Sequence, residues 1–157
     1  MSFVTLDEAK AQLRVDGDAE DALITSKIAG AEIDAQMHLN RNVYADAAAL
    51  AAAIAAVPAQ MAAAVAAYEA ATDAACELHG DERAIAMTGA NEAYSAAKTE
   101  ATRTYRGIVV NESIKGAVLL IVGDLYADRE NSKAGSVSKV PTASVNLLNK
   151  FRVGPGV

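Results

Sequence analysis

The sequence predicts an all-α protein, a small helical bundle carrying an inserted alanine-rich helical hairpin, and three observations point there. Apolar residues recur at steps of three and four through several long segments, which puts them on one face of a 3.6-residue helix. Helix boundaries are written in the expected residue types, with Thr5 ahead of Glu8, Asp16-Gly17 after Val15, and Asn111 ahead of Glu112. Hydrophobic residues make up 52% of the 157, but aromatics are only 4% and there is no Trp, so much of the apolar content is alanine. Alanine favours helix while contributing little side chain to bury. The expected core is therefore thin, though 157 residues suffice for one domain of ordinary size.

The elements follow in order. Thr5 and Glu8 form a capping box, in which hydroxyl and carboxylate satisfy backbone donors that the first turn leaves open, so a helix starts at Leu6 with Leu6, Ala9 and Leu13 as its stripe. Asp16-Gly17 stops it. Asp18 is then placed to cap a second helix from about Ala19 to Leu39, with Glu20 and Asp21 in a first turn whose dipole favours acids. Ile24, Ile28, Ala31, Ala35 and Leu39 give that helix an apolar face about 30 Å long, which needs a partner.

The natural partner runs from Glu112 to about Asp128. Ile114, Val118, Ile121 and Leu125 form its stripe, and Leu119, Leu120 and Val122 make its middle apolar nearly all round, as in a helix covered on most sides. Gly116 and Gly123 each cost about 1 kcal/mol relative to Ala, which suggests that another backbone comes close. After the polar stretch from Asn131 to Lys139, Pro141-Thr142 opens a last short helix bearing Val145, Leu148 and Phe151, and residues 153–157 form a flexible tail.

Residues 45–107 stand apart from the core segments 1–44 and 108–152. Leu50, Ile54, Val57, Met61, Val65, Tyr68, Ala75 and Leu78 follow an approximate heptad stripe, with Pro58 opening a second helical segment after a bend. His79-Gly80-Asp81 breaks the run, and a return helix from about Glu82 to Tyr105 carries Met87, Tyr94, Ala97, Ala101 and Tyr105 on one side. The expected result is an antiparallel hairpin, closely spaced because alanine lets backbones approach. Ala47 to Tyr68 is poor in polar groups, yet a membrane span is not expected: large apolar residues are sparse, Pro58 and Gln60 sit near the centre, and basic flanks are missing.

Catalytic chemistry is scarce. His38 and His79 lack the neighbouring Cys, His or carboxylate spacing of a zinc site and read as surface or boundary residues. Cys76 has no basic residue or paired histidine nearby in sequence, and reads as a small buried thiol. Asp124, Asp128 and Glu130 resemble a carboxylate cluster, for which Arg129 and the helix end are ordinary partners. No phosphate-binding glycine loop or nucleophile elbow appears, so neither an enzyme nor a cofactor is expected. One cysteine and no signal-peptide layout at the N-terminus point to a reducing cytoplasm.

The net charge of −6 argues against a general nucleic-acid binder, which needs a basic face to displace counterions. From Arg129 onward five basic residues stand against one acid, a balance of +4 that leaves −10 on the rest. The two ends of the chain are electrostatically complementary, either as ordinary solvated surface or as the two sides of a head-to-tail contact in a ring.

Two stretches resemble the phage head-tail connector, or adaptor, proteins of long-tailed bacteriophages. Val4 to Ile24 (VTLDEAKAQLRVDGDAEDALI) is similar to the family's N-terminus almost position for position, and Ile114 to Asn131 (IKGAVLLIVGDLYADREN) resembles its later helix at Ile114, Lys115, Ala117, Leu119, Leu120, Gly123, Tyr126, Arg129 and Glu130. Val140-Pro141 ahead of Val145 and Leu147-Leu148 is similar to its closing segment. The resemblance covers roughly 80 to 90 residues in the right order; residues 45–107 depart from it, since shorter relatives lack such a stretch.

That resemblance implies a structural virion protein without enzymatic activity. It implies a homo-oligomeric ring, commonly of twelve subunits, that binds the portal protein from below and meets a stopper or tail-completion protein, while DNA passes through the lumen without sequence-specific binding. The location implied is the neck of the virion, reached from the host cytoplasm during assembly, with no membrane involved. Within that frame Val145, Leu148, Lys150, Phe151 and Arg152 are candidates for the portal interface, although Leu148 and Phe151 could equally cap the core. Asp18, Glu20, Asp21, Asp128, Arg129 and Glu130 are candidates for the contact between subunits. The rival reading from another class is a small helical regulatory or antitoxin-like interaction module.

Overall fold

The computed structural model describes residues 2–127 and 143–154. Within them lie six helices and one two-stranded pairing, an all-α helical bundle. The chain divides into two compact units, Met1–Ala47 with Ile108–Val157, and Ala48–Gly107.

In the first unit, α1 (Leu6–Leu13) begins at the capping box: the Glu8 amide donates to Thr5 Oγ1 at 3.2 Å and the Thr5 amide donates to Glu8 Oε2 at 2.7 Å. Arg14 closes it in the left-handed region, and Gly17, at φ +86°, makes the turn that Asp16-Gly17 foretold. The second helix, α2, is Asp21–Leu39 and differs from expectation at its start. Glu20 holds the cap position, with no side-chain capping bond, and Asp18 does not cap. The Asp18 carboxylate instead receives Lys10 Nζ at 3.2 Å, so an ion pair to the preceding helix replaces the local cap. At its other end Asn40, at φ +52°, terminates α2.

The fifth helix, α5 (Glu112–Ala127), packs against α1, α2 and the terminal helix α6 (Ala143–Asn149). Asn111 caps it as expected, its Oδ1 accepting from the Ile114 amide at 3.0 Å. The core joins Ile24, Ile28, Ala31, Ala35 and Leu39 of α2 to Ile114, Ala117, Val118 and Val122 of α5, with Phe3, Val4, Ala9, Val43 and Leu148 around them. Ile121 and Leu125 only flank this core, and Leu120 is 36% exposed, so α5 keeps one open face. The glycine expectation fails: no other backbone comes close, since a methyl on Gly116 would meet only the Leu147 side chain of α6 at 3.9 Å, an ordinary contact, and one on Gly123 would meet nothing within 4 Å.

Two elements were not foreseen. β1 (Val43–Tyr44) pairs in parallel with β2 (Ile108–Val109), Val43 opposite Ile108. Two-residue strands are too short to show a period of two, although β-branched residues fill three of the four positions. The pairing ties together the chain's exit from the first unit and its return.

The second unit is a hairpin of α3 (Ala47–Cys76) and α4 (Gly80–Tyr105). Contacts run in opposite directions along the two helices: Arg83 Nη2 lies 3.9 Å from Cys76 Sγ near the turn, and farther back the Tyr68 hydroxyl bonds Asn91 Oδ1 at 3.1 Å while its ring sits 5.2 Å from that of Tyr94. The seam is Val57 and Ala75 against Ala90 and Thr104, all buried, with Leu50, Ile54, Met61, Tyr68, Met87, Tyr94, Ala97 and Ala101 half-buried along it. Three expectations change. Helix α3 runs unbroken through Pro58, which is exposed where water can satisfy the carbonyl that its missing N–H leaves open. Val65, Leu78 and Tyr105 are 38%, 37% and 57% exposed, and Thr104 takes the inner place given to Tyr105. Cys76 is exposed rather than buried, because it falls at the turn, and it has a cation beside it.

Candidate interaction surfaces

Three surfaces of the first unit combine polar anchoring with exposure. The first is an acidic corner where α1 turns into α2. Lys10 Nζ bridges Asp18 Oδ1 at 3.2 Å and Asp21 Oδ1 at 2.8 Å, and these bonds raise the Lys10 pKa above its ordinary value, Asp21 contributing most. The Tyr126 hydroxyl donates to Glu20 Oε2, tying the corner to α5. Asp16 and Asp18 still face water, Asp18 with 92% of its side chain exposed. Beside the corner, Lys115 Nζ reaches Glu8 Oε1 at 2.9 Å. The Thr5 backbone amide, and then the Lys115 ammonium, hold the Glu8 carboxyl down to a pKa of about 2.

The second surface is the opposite, basic end of α2. Arg41 Nη1 donates to the Phe151 carbonyl at 3.2 Å, His38 Nε2 pairs with Asn149 Oδ1 at 2.9 Å, and the Val153 amide donates to the Leu39 carbonyl at 3.0 Å. Partial burial lowers the Arg41 pKa from its usual value. The chain then turns at Gly154, φ +129°, where a methyl would stand 2.6 Å from Asn40 Nδ2. Lys150 and Arg152 are exposed around these contacts. Helix α2 thus runs from acid to base over about 28 Å.

The third is a groove of about 560 Å³ between residues 2–6 and α2, with Val4, Thr5, Ile28, Ala29 and Ile33 on its walls. Its floor is fixed by Glu32, only 8% exposed, whose Oε1 accepts from Ser2 Oγ at 2.7 Å, the Phe3 amide at 2.9 Å and the Val4 amide at 3.1 Å. Sequence reasoning missed Glu32. The signal was present, since an acid falls beside Ala31 and Ile28 on the inner face of an otherwise apolar stripe.

The structure distributes the candidate residues unevenly. Asp18, Glu20 and Asp21 come together at the acidic corner; Asp128, Arg129 and Glu130 lie outside the described residues, as do the loop from Asn131 to Lys139, Pro141-Thr142 and residues 155–157. Of the C-terminal group, Lys150 and Arg152 are exposed and Val145 and Phe151 half-buried. Leu148, 1% exposed, belongs to the core instead of offering a contact, because α6 lays it against the neighbouring helices. Among the described residues no group of three or more His, Cys, Asp or Glu could hold a metal ion. Helix α3 is long and apolar enough to cross a membrane by length and composition alone.

No curated protein and no solved structure matches this chain. A family model does, that of the phage gp6-like head-tail connector proteins, over residues 3–80, which hold α1, the acidic corner, α2 with both of its ends, β1 and α3. On that match the chain belongs to the phage gp6-like head-tail connector family, a family of structural proteins at the junction of head and tail.

Proposed function

We propose that copies of this chain form a ring, commonly twelve in such connectors, that binds the portal protein on one side and a stopper or tail-completion protein on the other, with DNA passing through its lumen. The family match over residues 3–80 carries this reading. Geometry supports it in two places. The acidic corner of Asp18, Glu20 and Asp21 and the basic end of Arg41, Lys150 and Arg152 lie at opposite ends of α2, as a head-to-tail contact between neighbours needs. A ring also makes many modest contacts together, so each can be weak.

Residues 45–107, in this reading, are an insertion into a connector core made of 1–44 and 108–152, and they add to the ring wall or touch a tail component. Lys150, Phe151 and Arg152 make the portal-side contact, with Phe151 as apolar anchor and the two cations on the rim; Asp128, Arg129 and Glu130 join Asp18, Glu20 and Asp21 between subunits. Electron microscopy of the purified protein mixed with portal is the direct test. A ring of density beneath the portal is expected, and a monodisperse monomer that never joins it overturns the proposal. In a pull-down, Phe151→Ala should weaken portal capture by about tenfold or more; unchanged capture removes Phe151 from the contact.

A further inference from the structure

Helix α2 has a second stripe, on the side away from its core. Leu23, Ser26, Gly30, Ile33 and Met37 recur at steps of three, four, three and four, the spacing of a helix-packing seam, and none is charged. Leu23, Ile33 and Met37 are 39%, 59% and 63% exposed, and they are three of the four exposed large apolar side chains among the described residues of this unit. A large apolar side chain standing alone in water is ordinary; three aligned along one helix face are not.

The stripe is symmetric about its own midpoint. Gly30 lies at the centre, seven residues from Leu23 and seven from Met37, and Ser26 and Ile33 lie four and three residues from it. Reversing the helix about Gly30 therefore lays Leu23 over Met37 and brings Ser26 within one residue of Ile33. The charges reverse the same way. Lys27 and Asp34 follow each other by seven residues and so share one flank of the stripe, three and four residues either side of Gly30. An antiparallel copy brings each Lys27 within one residue of the other copy's Asp34, twice, while the acidic end at Asp18 and Asp21 comes to the basic end at Arg41. A parallel copy would oppose like ends.

We propose that this face pairs with the same face of a second copy, α2 antiparallel to α2 across a two-fold axis, giving a dimer of the free protein. The contact is isologous, unlike the head-to-tail contacts that close a ring. It does not rest on the connector reading, and its test uses no portal.

The test is sedimentation of the full chain. A dimer is expected for the native sequence, and Ile33→Asp should give a monomer with unchanged helical circular dichroism, as should Met37→Asp, since both side chains are already mostly in water. Lys27→Asp should raise the dimer dissociation constant by about tenfold or more by setting like charges together twice. Adding Asp34→Lys to it should restore the native value. A native chain that sediments as a monomer at its highest soluble concentration overturns the proposal. So does an oligomer that survives both Ile33→Asp and Met37→Asp, or a double reversal as weak as the single one.

Discussion

The first compact unit and the alanine-rich hairpin unit are both built of helices, but they use apolar residues differently. Among the described residues, fourteen apolar side chains are buried in the core unit's cluster, drawn from five elements and the N-terminal segment. In the hairpin unit only Val57, Ala75 and Ala90 reach that state, along one seam between two helices. The difference lies in what alanine does. It favours the helix, yet its single methyl buries little surface, so a sequence rich in alanine yields long regular helices without a deep interior. Hydrophobic percentage measures the first property and not the second. The core unit also fixes its chain with polar anchors such as Glu32, whereas the hairpin relies on the Tyr68, Asn91 and Tyr94 contact along its length.

The sharpest way to break this comparison is a matched pair of truncations. Ile114, 0% exposed and inside the α5 stripe, should cost about 3 kcal/mol or more when changed to Ala, because it leaves a cavity enclosed by several elements. Val57→Ala in the hairpin should cost about 1–2 kcal/mol, since two flanking helices can close on the smaller side chain. Urea unfolding followed by amide hydrogen exchange separates the two. Ile114→Ala should speed exchange across α2 and α5, and Val57→Ala only within α3 and α4. Equal costs, with core amides released by Val57→Ala, would mean that the two units unfold as one.

Glu32 tests the polar side of the contrast. Replacing it by Ala leaves the Phe3 and Val4 amides, both of buried residues, without their acceptor, which should cost about 2 kcal/mol. The same change should open the groove wall and expose Phe3 and Val4. Exchange of those two amides at the rate of the native protein would show that Glu32 does not hold the N-terminal segment.

The legibility of these features in the sequence follows the same division. The capping box at Thr5 and Glu8, the Asn111 cap and the α2 and α5 stripes were readable because each is a local pattern repeated over whole turns. In the hairpin the heptad seam was readable at Leu50, Ile54, Val57, Met61, Tyr68 and Ala75; its register slipped at Val65 and Tyr105, and Leu78 falls past the end of α3. An alanine background supplies few large residues to fix which face is inner, so a slip of one residue is easy. Asp18 was misplaced as a cap because its partner, Lys10, lies across a turn. Glu32 and the short β pairing escaped for a like reason, since Glu32 bonds amides 28 and 29 positions away and Val43 pairs with Ile108, and no local period records them; for Leu148 the sequence left core and portal contact open, and the structure chooses the core.

The smallest expected effect is the most specific. Glu8 is held at a pKa of about 2 in the folded chain against an ordinary 4.5, first by the Thr5 amide and then by Lys115. A depressed carboxyl contributes stability that is complete above its unfolded pKa and is lost as pH falls through the folded one. The window is therefore pH 4.5 down to about 2. The side chain is 37% exposed, so solvent screening reduces the contribution to about 1 kcal/mol or less. Glu8→Gln keeps a residue able to reach the Thr5 amide but removes the charge facing Lys115, and should flatten that part of the acid titration. Added salt should do half the same, weakening the Lys115 pair while leaving the cap. Acid should thus loosen the α1 amides before those of α2, and the hairpin amides should not respond to Glu8→Gln at all. If Glu8→Gln shifts hairpin exchange as much as α1 exchange, the cap is coupled to the whole chain, and the contrast between an anchored core and a seam-held hairpin fails.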